Sequence, residues 1–80
     1  MKKNDLKNLK RGMAVKNKYD FYGISYIEEI TKHGRVWLVS KSWDGYKWCI
    51  AEDIERVDSK WDLTSEQIDE LIENDPIINK

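Results

Sequence analysis

The two residues best suited to covalent chemistry are Cys49 and His33, the only cysteine and the only histidine among the 80 residues. A catalytic thiol needs a base within hydrogen-bond reach, and no motif in the sequence places His33 beside Cys49. Cys49 stands between Trp48 and Ile50, where a cysteine usually packs as a small hydrophobic side chain. A structural zinc site needs about four Cys or His ligands, and the chain has two. The sequence therefore predicts no catalytic cysteine and no metal site.

Acidic pairs and phosphate-binding motifs also fail to indicate an enzyme. Glu28-Glu29 and Glu52-Asp53 are adjacent pairs. Neighbouring residues of a strand face opposite sides of a sheet, so Glu28 and Glu29 cannot act together as general acid and base. The sequence contains no phosphate-binding loop, no dinucleotide fingerprint and no calcium loop. We predict a protein that is not an enzyme and that uses no cofactor.

Aromatic side chains are the richest feature available for binding, since the chain has four Trp, four Tyr and one Phe. These rings exceed what the core of so small a domain can hide. Trp37 and Trp48 stand among aliphatic residues and are predicted to be buried or half-buried. Trp and Tyr are favoured anchors at interfaces; the alternative is that the remaining rings only cover the open ends of the domain. The candidate contact surface consists of the rings in or beside predicted loops, which are Tyr19, Phe21, Tyr22, Trp43 and Tyr46.

Charge is unevenly distributed along the chain although the net charge is −1. Basic residues exceed acidic ones by five within residues 1–20 and by one within 21–51, whereas acidic residues exceed basic ones by seven within 52–80. Such asymmetry indicates either a charged partner or attraction between the two ends.

Nucleic-acid binding by the basic N-terminal region is the alternative function that this asymmetry suggests. Phosphates would be contacted by Lys7, Lys10, Arg11, Lys16 and Lys18. Tyr19, Phe21 or Tyr22 would stack on bases. The acidic C-terminal third makes nucleic acid a less favoured partner than protein, because it repels a polyanion.

A C-terminal helix is predicted over residues 65–74. Thr64 and Gln67 have the spacing of a capping box, and an apolar stripe follows at Ile68, Leu71 and Ile72. An acidic stripe lies opposite and consists of Glu66, Asp69, Glu70 and Glu73. This acidic stripe is either a docking face for a partner with a basic surface or the solvated face of a helix packed against the rest of the domain.

The central part of the chain has the pattern of short antiparallel strands. Its glycines recur every eleven residues, at Gly12, Gly23, Gly34 and Gly45. Turn residues at about this spacing are typical of short antiparallel strands. We predict strands over residues 13–18, 22–32, 35–42 and 45–51, with turns at His33-Gly34 and Asp44-Gly45.

The segment from residue 22 to residue 33 permits two interpretations. Ser25 and Glu28 have capping-box spacing, which favours a helix over residues 26–33. Tyr22, Ile24 and Tyr26 alternate, which favours a strand. We prefer the strand, with a bulge near Ile27 to restore the alternation.

The order of these motifs resembles a small Src-homology-3-like barrel of the Tudor and KOW branches. The resemblance covers residues 12–58 and is carried by Gly12-Met13-Ala14-Val15, by Ile30-Thr31-Lys32-His33-Gly34-Arg35-Val36-Trp37-Leu38-Val39 and by Trp48-Cys49-Ile50-Ala51-Glu52-Asp53-Ile54-Glu55-Arg56-Val57. It implies a five-stranded barrel in which Ala51-Glu52-Asp53-Ile54 form a short helical turn and Glu55-Arg56-Val57 form the closing strand. It also suggests an aromatic cage for a methylated cation as one use of the loop rings.

A second resemblance concerns the segment Leu9-Lys10-Arg11-Gly12-Met13-Ala14-Val15, which is similar to the opening of small bacteriophage accessory proteins, some of which inhibit host defence systems. We accordingly expect a mainly β domain whose function is non-catalytic protein binding through loop aromatics and the acidic helix. The specific form that the resemblance implies is inhibition or modulation of a host defence protein. The expected organisation is a basic lead-in over 1–11, the barrel over 12–58, a linker over 59–64, the helix over 65–74 and a tail over 75–80.

The apolar segments, the N-terminus and the cysteine content together indicate the cellular location. No apolar segment approaches the roughly 18 residues of a membrane span, and no signal-peptide core follows the N-terminus. A lone cysteine suits a reducing compartment. We expect a cytoplasmic protein with no membrane partner, and the sequence leaves its oligomeric state open.

Overall fold

The computed structural model describes residues 9–19 and 22–78 and contains, within them, five strands and one α-helix. The strands are β1 (Ala14–Asn17), β2 (Ser25–Ile30), β3 (Arg35–Val39), β4 (Lys47–Ile50) and β5 (Ile54–Arg56). The helix, α1, spans Ser65–Glu73, and short 3₁₀ turns span Ala51–Asp53 and Ser59–Trp61. The prediction of a mainly β protein with one C-terminal helix is confirmed. Among the described residues, no helix combines the length and the apolar character needed to cross a membrane.

The strands form one antiparallel sheet in the order β4-β3-β2-β1-β5. β4 and β5 therefore lie at opposite ends of the sheet, which is not closed into the predicted barrel by any strand pairing among the described residues. The physical reason lies in the connection: the 3₁₀ turn at Ala51–Asp53 redirects the chain, and the three residues of β5 then pair with β1, where Asn17 lies opposite Ile54. β4 is left with β3 as its neighbour.

β2 is a strand, as preferred, and not the alternative helix over residues 26–33. Ile27 pairs with Leu38 while Glu29 pairs with Trp37, so the register shifts and Glu28 is the extra residue of a bulge. A bulge resets the alternation of side chains. Ile27 and Ile30 consequently point to the same face of the sheet although they are three residues apart.

The connection between β3 and β4 differs from the predicted turn at Asp44-Gly45. A tight two-residue turn there would place Trp43 opposite Tyr46, whereas the ladder places Trp37 opposite Trp48 and leaves residues 40–46 as a longer loop. Polar side chains hold this loop: Ser40 Oγ accepts the Ser42 N–H at 3.0 Å, and an Asp75 carboxylate oxygen accepts the Gly45 N–H at 2.7 Å. Bonds to side chains thus replace the ladder bonds that a hairpin would make.

The inner face of the sheet carries the larger core cluster. Successive residues of a strand alternate between faces, so Val36 and Leu38 of β3 point inward while Trp37 points outward. The buried side chains of this cluster are Val15, Ile27, Val36, Leu38, Cys49 and Ile54.

Helix α1 packs on part of the opposite, outer face. Ile68 is fully buried there against Ala14, Tyr26 and Val39. The predicted capping box is present, because Thr64 Oγ1 accepts the Gln67 N–H at 3.1 Å and Gln67 Oε1 accepts the Thr64 N–H at 2.8 Å.

Gly12 joins the linker before α1 to the sheet. Its N–H donates to the Ile27 carbonyl oxygen and its carbonyl oxygen accepts the Leu63 N–H, both at 2.8 Å. Gly12 has φ +93°, and a Cβ atom at this position would collide with the Leu63 carbonyl oxygen. Only glycine fits both the conformation and the space.

Replacing Ile68 tests the docking of α1. Ile68→Ala removes a fully buried side chain and should lower the free energy of unfolding by about 2–5 kcal/mol, as measured by urea denaturation. Ile24→Ala is the matched control, because Ile24 is 40% exposed, and should cost no more than about 1 kcal/mol. Equal losses for the two variants would show that Ile68 does not anchor the helix.

Candidate binding surface on the outer sheet face

The outer face of the sheet is only partly covered by α1, and its uncovered part is aromatic. We call the aromatic face the set formed by Trp37, Tyr46, Trp48 and Ile50. Tyr46 and Trp48 are each 43% exposed and Ile50 is 45% exposed. Exposed apolar residues that form a contiguous group, rather than occurring singly, mark interaction sites.

The rings of the aromatic face contact one another. The Trp37 ring centroid lies 6.4 Å from that of Trp48 and 6.2 Å from that of Tyr46, the latter in an edge-on arrangement. The Arg35 guanidinium lies 4.3 Å from the Trp48 ring centroid, within the range of a cation–π contact. The face is therefore an ordered group of side chains bordered by one cation.

The ladder between β3 and β4 explains why the two tryptophans meet. The Ala51 N–H donates to the Gly34 carbonyl oxygen at 2.8 Å, which makes these residues a hydrogen-bonded pair. Pair types alternate along an antiparallel ladder, so Trp37 and Trp48 form a non-hydrogen-bonded pair. Side chains are closest in that type of pair.

Asp75 holds the loop that presents Tyr46. One carboxylate oxygen accepts the Gly45 N–H at 2.7 Å, and the other accepts the N–H groups of Ile77 and Ile78 at 2.8 and 3.0 Å. Burial by itself would raise the pKa of the Asp75 carboxyl, but the three backbone donors outweigh it and the pKa is lowered. The ionised carboxylate therefore ties the chain after α1 to the residue next to Tyr46.

The four predicted loop aromatics that lie within the described residues do not form one surface. Tyr22 and Trp43 contact each other with centroids 6.0 Å apart, and the Trp43 ring N–H donates to the Tyr22 carbonyl oxygen at 3.0 Å. Both pack against the inner core. Tyr19 is 58% exposed and has Lys18 over its ring. Phe21 lies outside the described residues.

Of the four predicted rings that the structure describes, the aromatic face thus contains Tyr46 alone. Partial burial, and secondarily the charge of Glu28, raise the pKa of the Tyr46 phenol above its ordinary value. Trp48, Trp37, Ile50 and Arg35 were not among the predicted site residues. The spacing Arg35-Trp37 and Trp48-Ile50 is itself a signal of one strand face, but it becomes informative only when the register is known.

Charged residues proposed for two separate surfaces contact each other instead. The Arg11 guanidinium donates to Asp69 at 2.9 Å, to Ser65 Oγ at 2.6 Å and to the Glu28 carbonyl oxygen at 3.1 Å. Arg11 belongs to the predicted basic region and Asp69 to the acidic stripe. The contact between Arg11 and Asp69 is an attraction between the two ends of the chain. Such attraction is one of the two interpretations of the charge asymmetry.

The other basic candidates are dispersed. Lys18 lies 3.4 Å from Asp53, and hydrogen bonding to that carboxylate raises the pKa of the Lys18 amine. Lys16 faces Glu55 across the ladder between β1 and β5. Lys10 is exposed, and Lys7 lies outside the described residues.

The remaining acidic stripe lies on the solvent side of α1. Glu66, Glu70 and Glu73 are exposed. Glu70 borders a shallow groove with Lys41 and Leu71.

Cys49 is buried in the inner core, as its neighbours in the sequence suggested. Burial raises the pKa of its thiol, which disfavours the reactive thiolate. Within residues 9–19 and 22–78, no group of three or more His, Cys, Asp or Glu side chains could hold a metal ion.

Comparisons with protein-family models, with curated proteins and with solved structures found no match. The surface residues themselves are therefore the basis for assigning a function.

Replacing Asp75 tests its role in holding the loop. Asp75→Asn would point an amide NH₂ group at backbone donors and should lower the free energy of unfolding at pH 7. Because the folded-state pKa lies below the unfolded value of about 3.9, the wild-type advantage is present above about pH 4 and is lost as the pH falls through the folded pKa. Urea denaturation between neutral and acidic pH measures this convergence, with Asp44→Asn in the same loop as the control.

Glu28 should show the opposite dependence on pH. Burial raises the pKa of its carboxyl despite the opposing attraction of Arg11, so its charged form disfavours folding once the pH rises through the folded pKa. Glu28→Gln should therefore increase the free energy of unfolding at pH 7 and leave it unchanged below the unfolded pKa of about 4.3. Glu29→Gln, at the exposed neighbouring position, is the control; a destabilised Glu28→Gln variant at pH 7 would contradict the assignment.

Proposed function

We propose that this protein is a non-catalytic protein-binding module whose contact surface is the aromatic face. The observation that supports this most directly is the grouping of two tryptophans, one tyrosine and one isoleucine on the part of the outer face that α1 leaves uncovered. Trp and Tyr in such positions supply most of the binding energy at protein interfaces. Of the loop aromatics predicted as contacts, Tyr46 is retained in this surface.

Protein is favoured over nucleic acid as the partner because the cation that borders the aromatic face, Arg35, is offset by an acidic residue beside the same rings. Glu29 lies directly opposite Trp37 in the ladder, where its carboxylate would repel a phosphate backbone. Two of the basic residues that could bind phosphates, Arg11 and Lys18, already contact Asp69 and Asp53. A stacking platform for single-stranded nucleic acid needs a positive groove beside the rings, and neither the net charge of −1 nor these contacts favour one.

The proposal includes an open Src-homology-3-like arrangement as the scaffold. The strand order β4-β3-β2-β1-β5 and the 3₁₀ turn between β4 and β5 are the features that support it. The acidic stripe of α1 is exposed to solvent, where it can steer a basic partner during association.

Substituting Trp48 tests the aromatic face. A binding partner captured from the source cells is identified, purified and titrated against the wild type, Trp48→Ala and Trp61→Ala. Trp48→Ala should weaken binding by at least about 30-fold, the loss typical of a hot-spot tryptophan. Trp61 is the matched control because it is 49% exposed and lies outside the face, so its replacement should leave the affinity within about twofold.

Two controls keep the outcome interpretable. Trp48→Ala should reduce the free energy of unfolding by no more than about 1 kcal/mol, the scale of one cross-strand pair. The same proteins are titrated with a single-stranded oligonucleotide while tryptophan fluorescence is recorded. Equal affinity of the two tryptophan variants for the partner, or tight oligonucleotide binding that Trp48→Ala abolishes, would refute the protein-binding proposal.

A further inference from the structure

β4 is an edge strand whose hydrogen-bonding groups face two directions. Because Gly34 and Ala51 form a hydrogen-bonded pair, the alternation of the ladder makes Val36 and Cys49 the next such pair. The backbone N–H and C=O groups of Trp48 and Ile50 therefore point away from β3, toward the open edge. β4 has no ladder partner besides β3 among the described strands.

The same two residues carry the exposed side chains of the aromatic face. Trp48 and Ile50 are 43% and 45% exposed, and among the described residues no hydrogen bond involves their outward backbone groups. An edge strand of this kind is a template for adding another strand, in which backbone bonds provide affinity and alternate side chains provide specificity.

From this geometry we infer that the partner of the aromatic face is a second copy of the chain, joined by antiparallel pairing of β4 with β4 across a two-fold axis at Cys49. This inference rests on the proposed function, because it names the partner of the same face. The outward groups of Trp48 pair with those of Ile50 of the partner subunit, and the reverse pair forms by symmetry. Trp48 then packs beside a β-branched side chain on the outer face, a favourable cross-strand combination.

The charges along β4 are complementary in this orientation. β4 begins with Lys47, and Glu52 follows its last residue by two positions. Antiparallel pairing brings each Lys47 beside the 3₁₀ turn of the other copy, which carries Glu52 of the partner subunit. Lys47 has no carboxylate within 4.0 Å among the described residues, and its amine lies over the rings of Tyr22 and Trp43 at 5.6 and 5.2 Å. A parallel arrangement would instead place like charges together.

The opposite edge of the sheet is protected and does not offer the same surface. β5 has three residues, of which Glu55 and Arg56 are exposed, and Arg56 is paired with Asp62 at 2.8 Å. Charged side chains and short length are the usual protection of a sheet edge. Association is therefore isologous and stops at two copies.

The dimer is expected to be weak. A pairing of two four-residue strands with their adjoining side chains is smaller than the roughly 1,600 Å² of a standard stable interface. We expect a dissociation constant on the order of micromolar or above. The net charge of −1 offers little long-range repulsion against self-association.

Sedimentation velocity over a concentration series tests the dimer, and Ile50→Pro tests its backbone bonds. Ile50 has φ −79°, which proline can adopt, and its N–H does not contribute to the ladder with β3. Ile50→Pro should therefore fold like the wild type while raising the dimer dissociation constant by at least about tenfold through loss of two symmetric bonds. Ile50→Val keeps the N–H and should stay within about twofold.

A charge exchange provides a test that does not depend on proline. Lys47→Glu should weaken the dimer, and adding Glu52→Lys to the same chain should restore it, because each subunit then again presents opposite charges to its neighbour. Failure of the double variant to recover the wild-type dissociation constant would overturn the proposed orientation.

Cys49 reports the register. On the two-fold axis, the two Cys49 residues form a non-hydrogen-bonded pair with Cα atoms about 4.5 Å apart. In a mixed sample of isotope-labelled and unlabelled protein, a nuclear Overhauser contact should join the Cys49 Hα atoms of the two subunits, and Cys49→Ser should remain dimeric. A dimer without this contact would overturn this register.

The experiments separate failure of this inference from failure of the proposed function. A wild-type protein that stays monomeric at every concentration overturns the second copy as partner. If a different protein still binds and loses affinity in Trp48→Ala but not in Trp61→Ala, the protein-binding proposal stands without the dimer. If Trp48→Ala changes neither self-association nor any other protein contact, both proposals are wrong.

Discussion

Helix α1 covers only part of the outer sheet face, and the exposed surface of the protein follows from that partial cover. Ile68 packs on Ala14, Tyr26 and Val39, which belong to β1, β2 and β3. The outward side chains of β4 therefore remain uncovered.

The fold brings together oppositely charged residues that are far apart in the sequence. Arg11 and Asp69 are separated by 58 positions, yet their side chains are 2.9 Å apart. Lys18 and Asp53 are likewise in contact across the sheet. The asymmetry of charge along the sequence suggests two charged binding surfaces. Ion pairs within the molecule partly neutralise it. The side chains of Tyr46, Trp48 and Ile50 are not covered in a comparable way and stay exposed.

Local signals in the sequence predicted local structure well. The capping box at Thr64 set the start of α1 because its bonds lie within one helical turn, and the alternation around Tyr26 identified β2 with its bulge. Features that depend on distant residues were not predictable. The loop at residues 40–46 replaces a tight turn because Asp75, far along the chain, accepts the Gly45 N–H. Trp43 lies in this loop and packs against the inner core, whereas Trp48 faces outward opposite Trp37.

The aromatic face is not explained by the needs of folding. In β4 the residue that fills the core is Cys49, and Trp48 and Ile50 point away from that core. An exposed edge strand lowers the risk of unwanted association when it carries charges, and polar residues at these two positions would leave the inner packing unchanged. Two large apolar side chains beside unpaired backbone groups instead increase that risk. The arrangement is therefore costly for a protein that acts alone, and it becomes favourable when a partner covers the face and the edge together.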